Sequence, residues 1–253
     1  GARIAFAGLD ESGLRLEDLR RSGADIAHVS PTHHFPTGIN MPVARRYELL
    51  AWASEQPGRY VIEDDYDSEF RLEGRPIPAL QSIDTEERVI YMNTFSKTLA
   101  STVRLAYMVL PAPLLARFRE RLGFYACTVS SFEQRAVAKF IERGYFEKHL
   151  NRMRTHYGRQ REAVLRAIAE SPLAPRCEVA ENHAGLHFVI RLKTRLADEE
   201  LEKRLAGRGV HLAPLSSYYA ADGAPRGHEF LFSYSNIDLE TLPEALRIIA
   251  GSL

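Results

Sequence analysis

Through the first half of this chain, short apolar runs alternate with helix-patterned stretches, and the runs close on polar residues. Asp25 to Val29, Tyr60 to Ile62, Arg88 to Met92 and Leu105 to Leu110 read as strands. Ile4 to Ala7 is a further short apolar run, and Leu14 to Arg21 has helical spacing. Pro42 to Glu55 predicts an amphipathic helix with Val43, Leu49, Leu50 and Trp52 turned inward. Strands separated by helices imply an open, mostly parallel α/β sheet. In such sheets ligands sit beyond the carboxyl ends of the strands. Tyr60 to Ile62 runs into Glu63-Asp64-Asp65, and Arg88 to Met92 into Thr94-Phe95-Ser96-Lys97, so two clusters with chemical potential fall at such ends.

After Pro111 the pattern changes. Leu114 to Arg121, Ser131 to Arg143 and Gly144 to Glu170 read as helices, the last two long and broken near Gly144. Cys177 to Ala180, Gly185 to Leu192, Gly209 to Leu212 and Glu229 to Tyr234 read as strands, with helices over Asp198 to Ala206 and Leu239 to Ala250. This part predicts a smaller α+β domain, with the boundary in the long helix: residues 1–145 and 146–253.

Composition narrows the function classes. Lysine plus arginine equals aspartate plus glutamate at 33 each, so no bulk positive charge argues for nucleic-acid binding by this segment. The one basic stretch, with Arg152, Arg154, Arg159 and Arg161, reads as the solvated face of a long helix. Cys127 and Cys177 lie far apart without C-x-x-C spacing, which argues against a disulfide scaffold or zinc site and fits a reducing cytoplasm. No apolar run approaches the ~18 residues that span a bilayer. The chain opens abruptly on Gly1-Ala2-Arg3, which suggests a cut inside a larger protein.

A lysine that forms an imine must spend time unprotonated, and burial or neighbouring cations supply that. The hydroxyls of Thr94 and Ser96 with the cation of Arg104 suit a phosphate group. A carboxylate at a strand end needs a cationic partner, and a protonated pyridinium nitrogen is one. Tyr66 is placed to donate to a phenolate oxygen. Plainer readings stand beside these: Lys97 as a surface lysine, the acidic run as a solvated turn, and His28, His33 and His34 as solvated loop histidines. Tyr218 and Tyr219 read as packing or interface residues. Asp65 and Asp67 also admit a magnesium-dependent phosphotransfer reading, with Lys97 as the phosphate cation. His183 and His187 lack an evident third metal ligand.

Val61-Ile-Glu-Asp-Asp-Tyr-Asp-Ser-Glu-Phe70, Thr94-Phe-Ser-Lys-Thr-Leu99 and Arg104-Leu-Ala-Tyr107 together resemble the cofactor segments of fold-type-I aminotransferases dependent on pyridoxal 5'-phosphate (PLP). Ser30-Pro-Thr-His-His-Phe-Pro-Thr-Gly38, Met41-Pro-Val-Ala-Arg-Arg46 and Gly144-Tyr-Phe-Glu-Lys-His-Leu-Asn-Arg-Met-Arg154 extend the likeness to the MocR-type branch of the GntR-family transcriptional regulators. The resemblance implies the large domain of that fold, lacking its N-terminal part, followed by the small domain. It implies Lys97 as the imine-forming lysine, Asp64 on the pyridine nitrogen, Tyr66 on the ring hydroxyl oxygen, and Thr94, Ser96 and Arg104 on the phosphate. The loop Pro31 to Gly38 would border the ring. It further implies a homodimer, an amino compound as effector or substrate, and DNA contact only through an N-terminal winged helix.

The sequence departs from the aminotransferase pattern at four places. The upstream segment with the glycine-rich phosphate loop and the ring-stacking aromatic is missing. Leu231 stands where many aminotransferases carry the arginine for the substrate carboxylate, with Arg226 nearby in sequence. Ala100-Ser-Thr-Val103 replaces a Pro-Gly turn, and Phe35 precedes Pro36 where an asparagine is common. The arginine and Phe35 departures favour an effector-sensing domain over a working aminotransferase.

Overall fold

A computed structural model describes residues 1–72, 77–180, 185–220 and 227–253. The chain divides into two compact units. One holds residues 1–34, 39–69 and the later chain as far as 151; the other holds 35–38, a short stretch opening at Phe70, and 152–253.

The first unit opens with a small hairpin, β1 (Leu9–Asp10) and β2 (Gly13–Leu14). Helix α1 (Leu16–Ser22) follows and stops at Gly23, whose φ of 65° lets its N–H close on the Arg20 carbonyl. Then come β3 (Ile26–Val29), α2 (Val43–Ser54), β4 (Tyr60–Asp64), the short α3 (Leu80–Ile83), β5 (Val89–Thr94) and β6 (Ala106–Val109). The four strands form one sheet in the order β3-β4-β5-β6. The first three are parallel, with His28 opposite Ile62 and Asp64 opposite Met92, and β6 returns antiparallel to β5. Leu16 and Leu19 of α1 and Leu49, Trp52 and Ala53 of α2 bury against Val29, Val61 and Val89 in one core.

Helix α2 falls one residue inside its predicted bounds at each end, with a different inward stripe. Val43 is 46% exposed, and Arg46 is fully buried with Leu49, Trp52 and Ala53. Those four positions recur at helical spacing. The charge of Arg46 disguised its membership of the inward face. Ile4 to Ala7 forms no strand, and Ile4 and Phe6 stand exposed. Helices α4 (Ala112–Leu122) and α5 (Ser131–Glu142) bury no residue, and α6 (Tyr145–Glu170) begins after Gly144.

The second unit is an antiparallel sheet, β7 (Cys177–Ala180), β8 (His187–Leu192), β9 (Ala213–Pro214) and β10 (Glu229–Ser233), ordered β7-β8-β10-β9. Its core joins Val164 and Ile168 of α6, Leu201 and Leu205 of α7 (Asp198–Ala206), and Leu246 and Ile249 of α8 (Leu242–Ala250). Phe188 and Phe232 stack across neighbouring strands at 4.9 Å. The strand expected at Gly209 to Leu212 is absent. The Val210 N–H instead closes on the Leu205 carbonyl at 3.0 Å with Gly209 at φ 79°, so the chain is still capping α7 there. Among the described residues no helix is long and apolar enough to cross a membrane.

Candidate functional site

Asp64 is the last residue of β4 and lies opposite Met92 of the parallel strand β5. Strand β5 continues to Thr94, so the turn that follows emerges beside the Asp64 end of the sheet. Lys97 is exposed in that turn and has no recorded hydrogen bond or ion pair among the described residues. The turn itself is held from within. The Phe95 N–H donates to Leu105 O at 3.0 Å, and the Leu99 N–H donates to Phe95 O at 2.8 Å. The Ser96 N–H donates to Thr94 Oγ1 at 3.1 Å, and that hydroxyl donates to Ser96 Oγ at 3.0 Å. Arg104 is exposed, donates to Ser101 O at 3.2 Å, and has no acidic partner among the described residues. The Thr94–Lys97 turn and Arg104 thus flank the start of β6.

The side chain of Asp64 is 39% exposed and lies 3.6 Å from Nε2 of His28, which projects from β3. The neighbouring Asp64 carboxylate holds the His28 imidazole above its usual value, against a smaller opposing effect of burial. Tyr66 donates its hydroxyl to the His33 carbonyl at 3.0 Å. His33 Nδ1 lies 2.8 Å from Asp67 Oδ2, with both side chains almost wholly buried. An ionised carboxylate only accepts, so Nδ1 carries the hydrogen. These contacts fasten the loop beginning at Pro31 to the end of β4. Burial first, then the charges of Asp67 and Asp64, push the Tyr66 phenol far above its ordinary value, so it stays a neutral hydroxyl.

His33 is therefore not the solvated loop histidine its sequence context suggests, and burial also lowers the pKa of its neighbour His34. Nothing in the local sequence marks His33 as the partner of Asp67. Arg46 was missed as well. Its guanidinium donates to Met41 O at 3.0 Å, Pro78 O at 2.8 Å and Pro31 O at 2.9 Å, and lies 3.9 Å from the buried Glu63. Glu63 accepts the N–H groups of Leu80 at 2.8 Å and Gln81 at 2.9 Å, while burial raises its carboxyl.

Asp65 accepts from Tyr91 OH at 2.7 Å and Ser68 Oγ at 2.8 Å. Asp65 and Asp67 are thus each engaged with other side chains. Among the described residues no group of three or more His, Cys, Asp or Glu is placed to hold a metal ion. In the second unit Phe35 meets His187 edge-on at 5.5 Å and Tyr218 at 5.3 Å, which gives Tyr218 the packing role expected of it. Leu231 lies in β10 between Val189 and Ala213, on the face opposite the buried Phe230 and Phe232. A carboxylate clasp there also escaped the sequence. Asp198 accepts from Ser216 Oγ at 2.7 Å and the His228 N–H at 3.0 Å. His183 and Arg226 lie outside the described residues.

Residues 16–249 match the family described as aminotransferase class I and II. The probable rhizopine catabolism regulatory protein MocR of Rhizobium meliloti is 36% identical over 252 residues, covering 100% of this chain and 50% of its own length. The uncharacterized HTH-type transcriptional regulator YhdI of Bacillus subtilis is 41% identical over 210 residues, covering 83% of this chain and 44% of its own. The chain thus spans about half the length of these curated relatives. Among solved structures, a kynurenine aminotransferase of Pyrococcus horikoshii superposes with a TM-score of 0.81 at 27% identity, covering 97% of this chain and 62% of that one. The α-aminoadipate aminotransferase LysN of Thermus thermophilus gives 0.82 at 25% identity, covering 99% and 65%.

Proposed function

Since this chain belongs to the aminotransferase class I and II family, we propose that it is the pyridoxal-phosphate-binding, effector-sensing part of a transcriptional regulator. Residues 1–145 are on this reading the remainder of the cofactor-binding large domain, and 146–253 the small domain. The observation that carries it is the placement of Asp64 and Lys97 at neighbouring carboxyl ends of parallel strands. Kinship with proteins named as regulators, one of them HTH-type, supports the sensing role.

The residues present suit the cofactor by their chemistry. Lys97 offers an amine without a competing partner among the described residues, within a turn closed by its own backbone hydrogen bonds. Asp64 offers a half-open carboxylate for a protonated ring nitrogen. The hydroxyls of Thr94 and Ser96 and the exposed guanidinium of Arg104 suit a phosphate dianion. Tyr66 is kept a neutral hydroxyl by burial and gives its one hydrogen to the His33 carbonyl, so donating to a ring phenolate oxygen would take that hydrogen from His33. Bound PLP supplies an aldehyde that exchanges reversibly between amines and a ring that acts as an electron sink.

Within that frame Lys97 would hold the cofactor through its amine, and the amine of a small effector would compete for the same aldehyde. Asp64 would hold a proton on the ring nitrogen, and Arg104 would anchor the phosphate. The sequence carries Leu231 where many aminotransferases carry the arginine that grips a substrate carboxylate, a difference that favours amine exchange over turnover on this reading. The intact regulator would be a cytoplasmic homodimer that touches DNA only through an N-terminal winged helix. The alternative reading, a working aminotransferase, draws on the likeness to the Pyrococcus enzyme and requires keto acid to form from a panel of amino donors.

The test is to add PLP to the purified chain, record the visible spectrum, reduce with borohydride and map the modified lysine, with Lys97→Ala alongside. A visible band with label on Lys97 alone supports the reading. Labelling scattered over surface lysines, unchanged in Lys97→Ala, overturns it.

A further inference from the structure

The turn that carries Lys97 is gripped from outside by the first turns of α6. His149 Nε2 lies 2.9 Å from the carbonyl oxygen of Thr98, a residue only 1% exposed. Phe146, one helical turn earlier, meets the ring of Phe95 edge-on at 5.7 Å. The two contacts fall on either side of Lys97, at positions 95 and 98, and neither touches the lysine side chain. A carbonyl only accepts, so His149 carries its hydrogen on Nε2. The ring is braced by Phe140, edge-on at 6.3 Å. Among the described residues no other donor to the Thr98 carbonyl is recorded, although that carbonyl belongs to a buried residue.

We propose that His149 is a positioning residue for Lys97, acting through the backbone of Thr98. The inference rests on the reading of Lys97 as the cofactor lysine. Where a lysine amine points depends on the Cα–Cβ direction of its residue, and the backbone of the turn sets that direction. The turn has its own hydrogen bond, Leu99 N–H to Phe95 O, but a one-turn ring frays without outside support. His149 and Phe146 supply the support and leave Nζ free. The sequence joins the same parts: Thr94-Phe-Ser-Lys-Thr-Leu99 and the stretch containing Phe146 and His149 are both among the segments that carry the family resemblance.

The test compares His149→Leu, which removes the donor, with His149→Gln, whose amide N–H reaches about as far as Nε2. Amide hydrogen exchange is followed by mass spectrometry without cofactor, over peptides spanning 95–99 and, separately, β4 and β5. Borohydride labelling of Lys97 is then measured at subsaturating PLP. His149→Leu is expected to speed exchange in 95–99 about tenfold, with β4 and β5 unchanged, and to cut labelling of Lys97 several-fold. His149→Gln should restore most of both. Parent-level exchange and labelling in His149→Leu overturn the proposal, and so does faster exchange spread evenly over the whole unit, which marks a general stability role. If His149→Leu does not fold, His149→Asn, with a shorter reach, takes its place against His149→Gln under the same criteria. If the parent itself is not labelled at Lys97, the cofactor reading fails, while the local exchange still decides whether His149 holds the turn.

Discussion

Replacing Arg46 with methionine tests whether one buried guanidinium organises the loop beside the candidate site. Methionine roughly matches the length of the side chain and offers no donor. The Pro31 carbonyl keeps a partner, since the Met41 N–H also donates to it at 2.8 Å. The carbonyls of Met41 and Pro78 lose the donors recorded for them among the described residues. A buried polar group left without its partner costs about 1–3 kcal/mol, so the two together cost roughly 2–6 kcal/mol. Glu63 loses the cation 3.9 Å away but keeps two backbone N–H donors, and burial already favours its neutral form. Its share therefore lies at or below the low end of the ~3–5 kcal/mol for breaking a buried pair. The expected loss is about 5 kcal/mol, a large part of an ordinary domain's stability. Urea unfolding followed by tryptophan fluorescence reads it directly, because the chain's single tryptophan, Trp52, is buried on the same helix. Lysine at this position should rescue little, because an ammonium cannot reproduce a planar fork aimed at three carbonyls. A loss below about 1 kcal/mol in Arg46→Met would refute the accounting. Glu63→Gln checks the sign of the electrostatics. The folded carboxyl titrates above the ordinary 4.5, so between 4.5 and the raised value the folded state binds more protons than the unfolded one. Stability of the parent then falls as pH rises through that window and levels off above it. Glu63→Gln removes this slope, so its stability relative to the parent should rise with pH across the window.

Two other contacts give sharp expectations. Asp64→Asn should lower the pKa of the His28 ring in an NMR titration, because the carboxylate is the first cause of its elevation. A raised histidine adds stability below its unfolded value near 6.5 and loses it as pH rises through the folded value, so the variant should lose that slope too; an unmoved His28 would show that the 3.6 Å contact carries no charge coupling. In the second unit, Asp198→Ala removes the acceptor of Ser216 Oγ and of the His228 N–H, and should cost about 2–3 kcal/mol in urea unfolding, whereas an effect within 0.5 kcal/mol of zero would mean that water replaces the clasp.

The places of Asp64 and Lys97 at strand ends were legible because each follows closely on an apolar run, and the run states both that a strand precedes it and where the strand stops. The helices α2, α5, α6 and α7 were legible from spacing for a related reason: their apolar positions repeat within the helix itself. Arg46, His33, His149 and Asp198 were not. Three of them act on backbone groups remote in sequence, carbonyls or an N–H, and a backbone group has no letter of its own. His33 meets Asp67 across a fold that brings together two loops, and neither loop has a period to read. The strands themselves hold one further statement. Val61-Ile62 and Val89-Ile90 are apolar on consecutive positions, which turn to opposite faces, and near-continuous runs of this kind belong to parallel sheets covered on both sides. Within the described residues α1 and α2 cover the face of Val61 and Val89, while on the other face Ile26 is 53%, Met92 38% and Met108 47% exposed. The strand sequences are therefore those of a sheet with a layer on each side, a demand that the residues described meet on one face.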